Sequence, residues 1–306
     1  MKSFDDYRQQ SSQLDFIIEA FDTKAPLFKN VFIDRYNEFG EKWLNEFISE
    51  LKMLPDNLEF FKDIAKGYGS FCVEALRLQR DFDKSGLYPE NSYDNALKTV
   101  YQNEKYMLNV YLPSLFLTHF LWSHHYKLQI WVKEQFFSKI DSTKESKFFD
   151  VGIGTGFYSY KFLKNFNNLF GYGYDISSAS NAYTKNILSK NKLMNRYSLE
   201  NKFVKFAPKD TFDYLICIEL LEHLENPLQL LIDMHEKLKM NGLGIISAAI
   251  NAPNRDHIYL YKSMAEVRNQ IIKSGFKIQN EIELLAYEKI QGRTVPSSGV
   301  FIVSKI

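Results

Sequence analysis

The residue pattern with the clearest chemical meaning is a glycine-rich turn between a predicted strand and a predicted helix. Asp150 precedes Gly152, Gly154 and Gly156, which occupy every second position. Glycine suits a backbone that turns tightly and approaches a ligand, because no Cβ stands between them. Asp175 follows nineteen residues after Gly156, at the end of the next predicted strand. A carboxylate there can accept hydrogen bonds from both ribose hydroxyls, so the pattern indicates a nucleoside cofactor. Asp150 itself either contacts that cofactor or caps the turn.

A further acidic residue follows the predicted fourth strand. Glu219 stands at the carboxyl end of that strand, where the ligands of open α/β sheets bind. We consider it as a catalytic base or as a polar contact to the cofactor. The alternative is that Glu219 and Glu222 begin a helix and satisfy its free backbone N–H groups. The sequence leaves both interpretations open.

The loop after the predicted fifth strand is rich in functional side chains. His257 is suited to proton transfer near neutral pH, and Asp256 could bind an ammonium group of a substrate. Asn251 and Tyr259 are the other candidates for a substrate pocket in this loop. The alternative is a well-packed loop in which Tyr259 and Tyr261 belong to the core.

The glycine spacing distinguishes between cofactors. A dinucleotide fingerprint reads G-x-G-x-x-G, whereas this turn reads G-x-G-x-G with an acid two residues before it. It resembles the first motif of the class I S-adenosylmethionine (SAM)-dependent methyltransferases. Three later segments also resemble that family. Its fourth strand and the loop after it correspond to residues 212–227, its turn into the fifth strand to 238–247, and its entry to the sixth strand to 274–276. The resemblance covers residues 146–306. Two departures from the family pattern occur: Met-Asn replaces Pro-Gly at 240–241, and only residues 200–201 are candidates for the acid that contacts the adenine.

The resemblance implies SAM as the cofactor and a set of residues that would hold it. These cofactor candidates are Asp150, Gly152, Gly154, Gly156, Asp175, Ile176 and Glu219. The catalytic candidates are His257, Glu219 and His125.

An aromatic and histidine-rich segment lies in the first half of the chain. His124 and His125 are adjacent, so on a helix they would project about 100° apart and could not share a metal ion as an i, i+4 pair would. With no cysteine cluster nearby, we expect no metal site. One histidine would face the cofactor while the other is packed or solvated. Tyr106, Tyr111 and Trp122 could close over the sulfonium, because aromatic faces attract cations. The alternative is an aromatic core.

These residues must be positioned by two different kinds of structure. Apolar residues recur every three or four positions before residue 140, which predicts helices, and the last long helix is predicted from Pro113 to Phe137. After a polar linker at 141–147, predicted strands alternate with helices. We therefore predict an all-α domain at 1–140 and a Rossmann-like α/β domain at 141–306. The latter is a doubly wound sheet of seven strands with an antiparallel edge hairpin at 276–286 and 300–304.

The composition excludes several classes of partner. The chain of 306 residues has 38 Lys and Arg against 37 Asp and Glu, so it lacks the basic excess of a nucleic-acid-binding protein. Its apolar stretch at 111–131 is interrupted by Pro, His and Lys, which argues against a membrane span. Only two cysteines and the lack of an apolar leader favour a reducing, cytoplasmic location. We expect a small-molecule substrate, no nucleic acid and no membrane, and we consider a homodimer.

Three functions fit these patterns. The first is methyl transfer from SAM to a small molecule in specialised metabolism. The second is SAM consumption without methyl transfer. W-x-H-H-Y and N-A-P-N-x-D-H-I-Y-L-Y faintly resemble methyltransferase-like enzymes of bacterial biosynthetic clusters, some of which cyclise the amino acid chain of SAM to azetidine-2-carboxylate and release methylthioadenosine. The third is a non-catalytic SAM-binding regulator.

Overall fold

The computed structural model describes residues 4–89, 92–289 and 291–306. The first part is helical, as predicted. Its helices are α1 (Phe4–Arg8), α2 (Ser12–Lys24), α3 (Val31–Leu51), α4 (Leu58–Ser85), α5 (Tyr93–Ala96), α6 (Glu104–Tyr106), α7 (Leu112–Leu121) and α8 (Ser123–Trp131). Turns of π-helix at Leu97–Tyr101, Met107–Tyr111 and Val132–Phe136 extend the later ones. None of the described helices is long and apolar enough to cross a bilayer.

The ends of the long helix α4 follow from local sequence. The side chain of Asn57 accepts a hydrogen bond from the N–H of Phe60, which caps the first turn. The helix ends at Gly86, which adopts a left-handed conformation with φ 66° that glycine tolerates without a steric penalty. The buried face of α4 contributes its apolar side chains to the core of the helical region.

The prediction of one helix from Pro113 to Phe137 is wrong at Trp122. This residue has φ −91° and ψ 119°, so α7 ends and α8 begins there. The carbonyl groups that a continuous helix would use are taken by side chains instead. Trp43 Nε1 donates to the Phe120 carbonyl at 2.9 Å, and Gln129 Nε2 donates to the His119 carbonyl. The break is stabilised by these distant donors, so no helix-breaking residue is needed in the segment.

The second part is a seven-stranded sheet with the order β3-β2-β1-β4-β5-β7-β6. The strands are β1 (Ser146–Val151), β2 (Leu169–Tyr174), β3 (Tyr197–Glu200), β4 (Phe212–Cys217), β5 (Leu238–Ile250), β6 (Lys277–Leu285) and β7 (Ser297–Ser304). Helices α9 (Phe157–Asn165), α10 (Ser178–Lys190), α11 (Pro227–Lys237) and α12 (Met264–Lys273) connect them. Strands β1 to β5 are parallel to one another, whereas β7 is antiparallel to both β5 and β6. The predicted fold class is confirmed.

The helical part packs directly on the sheet. Aromatic contacts connect α7 to β1 through α9. Phe120 of α7 contacts Phe157 of α9 with 5.9 Å between ring centroids, and Phe162 of α9 contacts Phe148 of β1 with 5.4 Å. The predicted linker is also attached, because the N–H of Asp141 donates to the Tyr214 hydroxyl at 3.1 Å. Both parts therefore share one apolar core. The division at residue 140 stays a prediction.

The close approach of α4 to the turn Met107–Tyr111 generates a test of this packing. A Cβ added at Gly67 would lie 2.6 Å from the backbone oxygen of Asn109. Helix propensity alone would make Gly67→Ala stabilising by about 1 kcal/mol. Because the backbone must shift to admit the methyl group, we expect the free energy of unfolding to fall by about 1–3 kcal/mol instead. Urea denaturation measures this value.

Ser70→Ala is the matched control, because Ser70 is an exposed residue of the same helix. Its free energy of unfolding should stay within about 0.5 kcal/mol of the parent value. A Gly67→Ala protein that is more stable than the parent would contradict the close approach.

Candidate active site

The strand order places the site at the carboxyl ends of β1, β2, β4 and β5, where ligands of doubly wound sheets bind. A cavity of about 1100 Å³ opens there and continues between the sheet and the helical region. Its lining includes both the glycine turn and residues of α3, α4, α7 and α8. The cavity therefore joins the two parts of the chain.

The three glycines of the turn have different surroundings, although all three have positive φ values of 70°, 51° and 72°. A Cβ at Gly152 would lie 2.8 Å from the Leu220 side chain, and one at Gly156 would lie 2.5 Å from Thr184. A Cβ at Gly154 would meet no atom within 4 Å. Gly152 and Gly154 line the cavity, whereas Gly156 does not. Gly156 allows α10 to pack against the turn, and its contact with the cofactor stays a prediction.

Asp175 is held at the end of β2 by backbone donors. Its Oδ2 accepts from the N–H of Gly154 at 3.2 Å, and its Oδ1 accepts from the N–H of Ser177 at 2.8 Å. Burial raises the pKa of Asp175 to about 6. Each carboxylate oxygen has a further lone pair. The structure thus fixes Asp175 beside the glycine turn, and Ile176 lines the same cavity.

Asp150 has an internal hydrogen-bond partner. Ser159 Oγ of α9 donates to its Oδ2 at 2.6 Å and also hydrogen bonds with the Tyr197 hydroxyl at 2.6 Å. Burial raises the pKa of Asp150 to about 7. The carboxylate therefore anchors the turn to α9 while the residue also lines the cavity.

Glu219 adopts a left-handed backbone with φ 51° at the end of β4. Ser247 Oγ accepts from its N–H at 3.0 Å and donates to its Oε1 at 2.7 Å. Burial and the neighbouring Glu222 raise the pKa of Glu219 to about 8. A protonated carboxyl at neutral pH can donate a hydrogen bond but cannot accept a proton, which argues against Glu219 as the general base.

A buried polar network lies behind the cavity wall. The Asp256 Oδ2 accepts from the hydroxyls of Tyr111 and Tyr101 at 2.6 and 3.0 Å, and it lies 3.3 Å from His223 Nδ1. Burial would lower the pKa of His223, but the Asp256 carboxylate raises it to about 9. Despite its own burial, Asp256 has a pKa below the ordinary value because His223 stabilises the carboxylate. The network connects two tyrosines of the helical part to the loop after β5.

His257 is brought to the cavity by the same loop. The carbonyl of Glu222 accepts from the N–H groups of Ile258 and Tyr259 at 2.8 and 2.9 Å, which places His257 beside Glu222 and His223. Its Nδ1 lies 2.6 Å from the Ala252 carbonyl, so this nitrogen carries the hydrogen and Nε2 has the lone pair. Burial and His223 lower the pKa of His257 to about 3. The imidazole is therefore neutral at physiological pH.

The opposite wall consists of aromatic residues and histidines around the break at Trp122. His124 and His125 have ring centroids 4.4 Å apart, and Trp122 lies 5.0 Å from His125. All three line the cavity, so the expectation that only one histidine faces it is wrong. Both histidines lie in the first turn of α8, directly after the break, and the cavity extends over both side chains there. Burial lowers the pKa of His125 to about 4 and lowers that of His124 as well, so both are neutral.

The structure does not bring every predicted pocket residue to the cavity. Tyr111 lines it, but Tyr106, Asn251, Asp256 and Tyr259 do not. The Tyr106 ring faces the Arg255 guanidinium at 5.1 Å, and the Asn251 amide donates to the Lys262 carbonyl at 3.1 Å. The Tyr259 hydroxyl accepts from Gln270 at 2.8 Å, and Asp256 is enclosed by the network described above. Each of these side chains serves the packing of the wall.

Sequence reasoning missed two residues of the wall. His119 stacks on Phe157 with 4.1 Å between ring centroids and lines the cavity. A single histidine in an otherwise apolar helix was the available signal. Tyr101 lines the cavity and donates to Asp256, and nothing in its sequence context distinguishes it from other tyrosines.

Comparisons with known proteins agree with this geometry. Residues 149–243 match the family model described as a methyltransferase domain. No curated protein matches the sequence. The structure is similar to the pyocyanin biosynthetic protein PhzM, with 16% identity, a TM-score of 0.52, and coverage of 83% of this chain and 76% of that one.

Two further solved structures are similar. One is phosphoethanolamine N-methyltransferase 2 of Haemonchus contortus in complex with SAM, with 12% identity, a TM-score of 0.53, and coverage of 71% of this chain and 60% of that one. The other is a sarcosine dimethylglycine methyltransferase candidate from Galdieria sulphuraria, with 12% identity, a TM-score of 0.51, and coverage of 59% and 86%. At these identities the likeness shows the fold, while the family model supplies the assignment. Residues 149–243 therefore form a methyltransferase domain of the SAM-dependent family, which confirms the family and the cofactor predicted from the glycine turn.

Proposed function

We propose that this protein transfers a methyl group from SAM to a small molecule held between the sheet and the helical region. One observation carries the proposal: a single cavity of about 1100 Å³ extends from the glycine turn to Trp122 and Arg35. Ligand pockets commonly measure about 300–1,000 Å³. The cavity therefore has room for an acceptor beside the cofactor.

The residues at the sheet end of the cavity fit SAM. Asp175 presents free lone pairs for the ribose hydroxyls, and Gly154 leaves open space where a Cβ would stand. Ile176 and Phe203 line the cavity as apolar side chains and would flank the adenine. When bound, SAM supplies a methyl carbon already activated by the sulfonium. The aromatic rings of Tyr111, Tyr158 and Trp122 border the cavity and would stabilise that cation.

The chain's part in the reaction is mainly to align the acceptor and exclude water. An amine or hydroxyl acceptor must also lose a proton. His125 and His257 are neutral at pH 7 and line the cavity, so either imidazole can accept it. Glu219 is the weaker candidate, because its carboxyl is protonated near neutral pH.

We infer that the acceptor is a metabolite and that the enzyme works in the cytoplasm. PhzM is a pyocyanin biosynthetic protein, which supports a role in small-molecule biosynthesis. Cys72 and Cys217 are both buried free thiols, as expected in a reducing compartment. The near-neutral charge supports the absence of nucleic-acid and membrane partners, and a homodimer stays an expectation.

The products of SAM turnover test this function. We expect the purified protein to leave SAM intact when no acceptor is present. With a panel of small amines, phenols and hydroxy acids, we expect S-adenosylhomocysteine to appear together with a methylated compound, measured by mass spectrometry. The physical reason is that the cavity holds two ligands, so the methyl group has an external nucleophile.

Other products would contradict the proposal. Methylthioadenosine formed from SAM alone would assign the intramolecular cyclisation considered above. Tight SAM binding without turnover of any panel member would favour the regulatory protein. Asp175→Ala is the control variant: turnover that persists in it at the parent rate does not arise from this site.

The ribose contact gives a second prediction. Asp175→Ala removes charged hydrogen bonds, each worth about 1.5–3 kcal/mol, so we expect SAM affinity to fall at least about tenfold. Because the pKa of Asp175 is raised to about 6, the carboxylate is ionised above that pH and protonated below it. The affinity of the parent protein should fall about tenfold between pH 7.5 and pH 5. Isothermal titration calorimetry measures both effects.

Asp175→Asn isolates the titration, because its SAM affinity should lack the step near pH 6. Asp233→Asn is the matched control, since Asp233 lies on α11 outside the cavity lining. Unchanged SAM affinity in Asp175→Ala would overturn the placement of the ribose.

A further inference from the structure

We propose that Glu222, His223 and His257 form a binding site for a divalent transition-metal ion such as Zn²⁺. One ligand atom of each residue lies within 4.8 Å of the other two, and all three side chains are buried. All three also line the cavity. The proposal is independent of methyl transfer, because it depends on this cluster alone.

The carboxylate of Glu222 is the first observation that points to a ligand. The side chain is fully buried, and neither oxygen has a hydrogen-bond partner among the described residues. Buried carboxylates are normally paired, hydrogen bonded or bound to a metal, because burial without compensation is costly. Neither oxygen of this buried carboxyl has a hydrogen-bond donor in the described part of the chain, and its charged neighbour His223 Nε2 lies 3.9 Å from Oε1, which leaves room for a cation beside Glu222.

The orientation of the two histidines is the second observation. His257 Nδ1 is held by the Ala252 carbonyl at 2.6 Å, which leaves the lone pair of Nε2 for a ligand. His223 Nδ1 is held by Asp256 and the Tyr101 hydroxyl, at 3.3 and 3.0 Å, and its Nε2 lies 3.9 Å from Glu222 Oε1. Metal-binding histidines typically donate their other N–H to a carboxylate or a backbone carbonyl in this way.

The ligand types select the class of metal. Two imidazoles and one carboxylate suit Zn²⁺ or Fe²⁺, whereas Mg²⁺ and Ca²⁺ prefer oxygen ligands. With bonds of about 2.1 Å, tetrahedral ligand atoms are about 3.4 Å apart, so the cluster must contract by roughly 1 Å. A bound ion takes the place of the proton that His223 otherwise carries, because a ligating imidazole is neutral. Because all three residues line the cavity, water or an acceptor could supply a fourth ligand from there.

This site changes one expectation from the sequence. The argument against a metal considered His124 and His125, whose spacing is unsuitable. The proposed ligands come from two different loops, after β4 and after β5. If a metal occupies His257 Nε2, that imidazole cannot accept the acceptor's proton, and His125 remains for that step.

Metal binding to the full-length protein tests the site. After dialysis against a chelator, we expect one equivalent of Zn²⁺ to bind in isothermal titration calorimetry, and one equivalent of Co²⁺ to give visible absorption bands. Glu222→Gln and His257→Asn should each weaken Zn²⁺ binding by about 100-fold or more. Asp256→Asn, which removes the charge that holds His223 Nδ1 without removing a proposed ligand, should weaken it by about 10- to 100-fold. His235→Asn is the matched control, because His235 packs against Phe276 away from the cluster.

Several results would overturn the site. Zn²⁺ binding weaker than about 10 μM in the parent protein would do so, as would unchanged binding in His257→Asn or equal losses in His235→Asn. Circular dichroism and thermal melting in the presence of chelator establish that each variant is folded. If Glu222→Gln does not fold, the comparison of His257→Asn with His235→Asn still decides the question.

Discussion

The carboxylate of Asp256 is the point on which the arrangement of the site depends. It is fully buried and accepts hydrogen bonds from Tyr101 and Tyr111, which the helical region supplies, while it also pairs with His223 of the sheet region. Moving the helical region away would leave a buried charge without its donors, which is strongly unfavourable. The helical region is therefore a fixed wall of the cavity at this position. A helical region that swung open as a whole to admit a substrate would have to break this network.

The two walls of the cavity differ in their protonation chemistry. On the sheet side, the carboxyls of Asp150, Asp175 and Glu219 have raised pKa values because they are desolvated. On the helical side, the histidines are kept neutral by the same burial. Burial thus pushes both kinds of group toward their uncharged forms. A cationic sulfonium that enters this space meets aromatic faces and carboxyls that its charge would help to ionise, so cofactor binding is expected to be linked to proton release.

The sequence was sufficient for the fold of the second half, because each strand and helix there is specified by local patterns. The glycine turn, Asp175 and the alternation of elements all depend on neighbours within a few residues, and the sheet order follows from the family. The break at Trp122 could not be predicted, since the donors that stabilise it come from Trp43 and Gln129. The same limit explains why Asp256 was assigned to the pocket. Its residue type suggested a substrate contact, but its partners lie 145 and 155 positions away in the chain.

The buried polar network and the Glu222 cluster are best understood together. Asp256 fixes His223 through Nδ1, and the Glu222 carbonyl fixes the loop that carries His257. Both histidines are therefore oriented by hydrogen bonds at their Nδ1 atoms. Packing alone does not account for a His223 Nε2 that lies 3.9 Å from a carboxyl without hydrogen-bond partners among the described residues, with a ligand atom of His257 within 4.8 Å of both. The ordering of these side chains before any ligand arrives is the expected property of a site that binds a cation, because preorganised ligands reduce the entropy lost on binding.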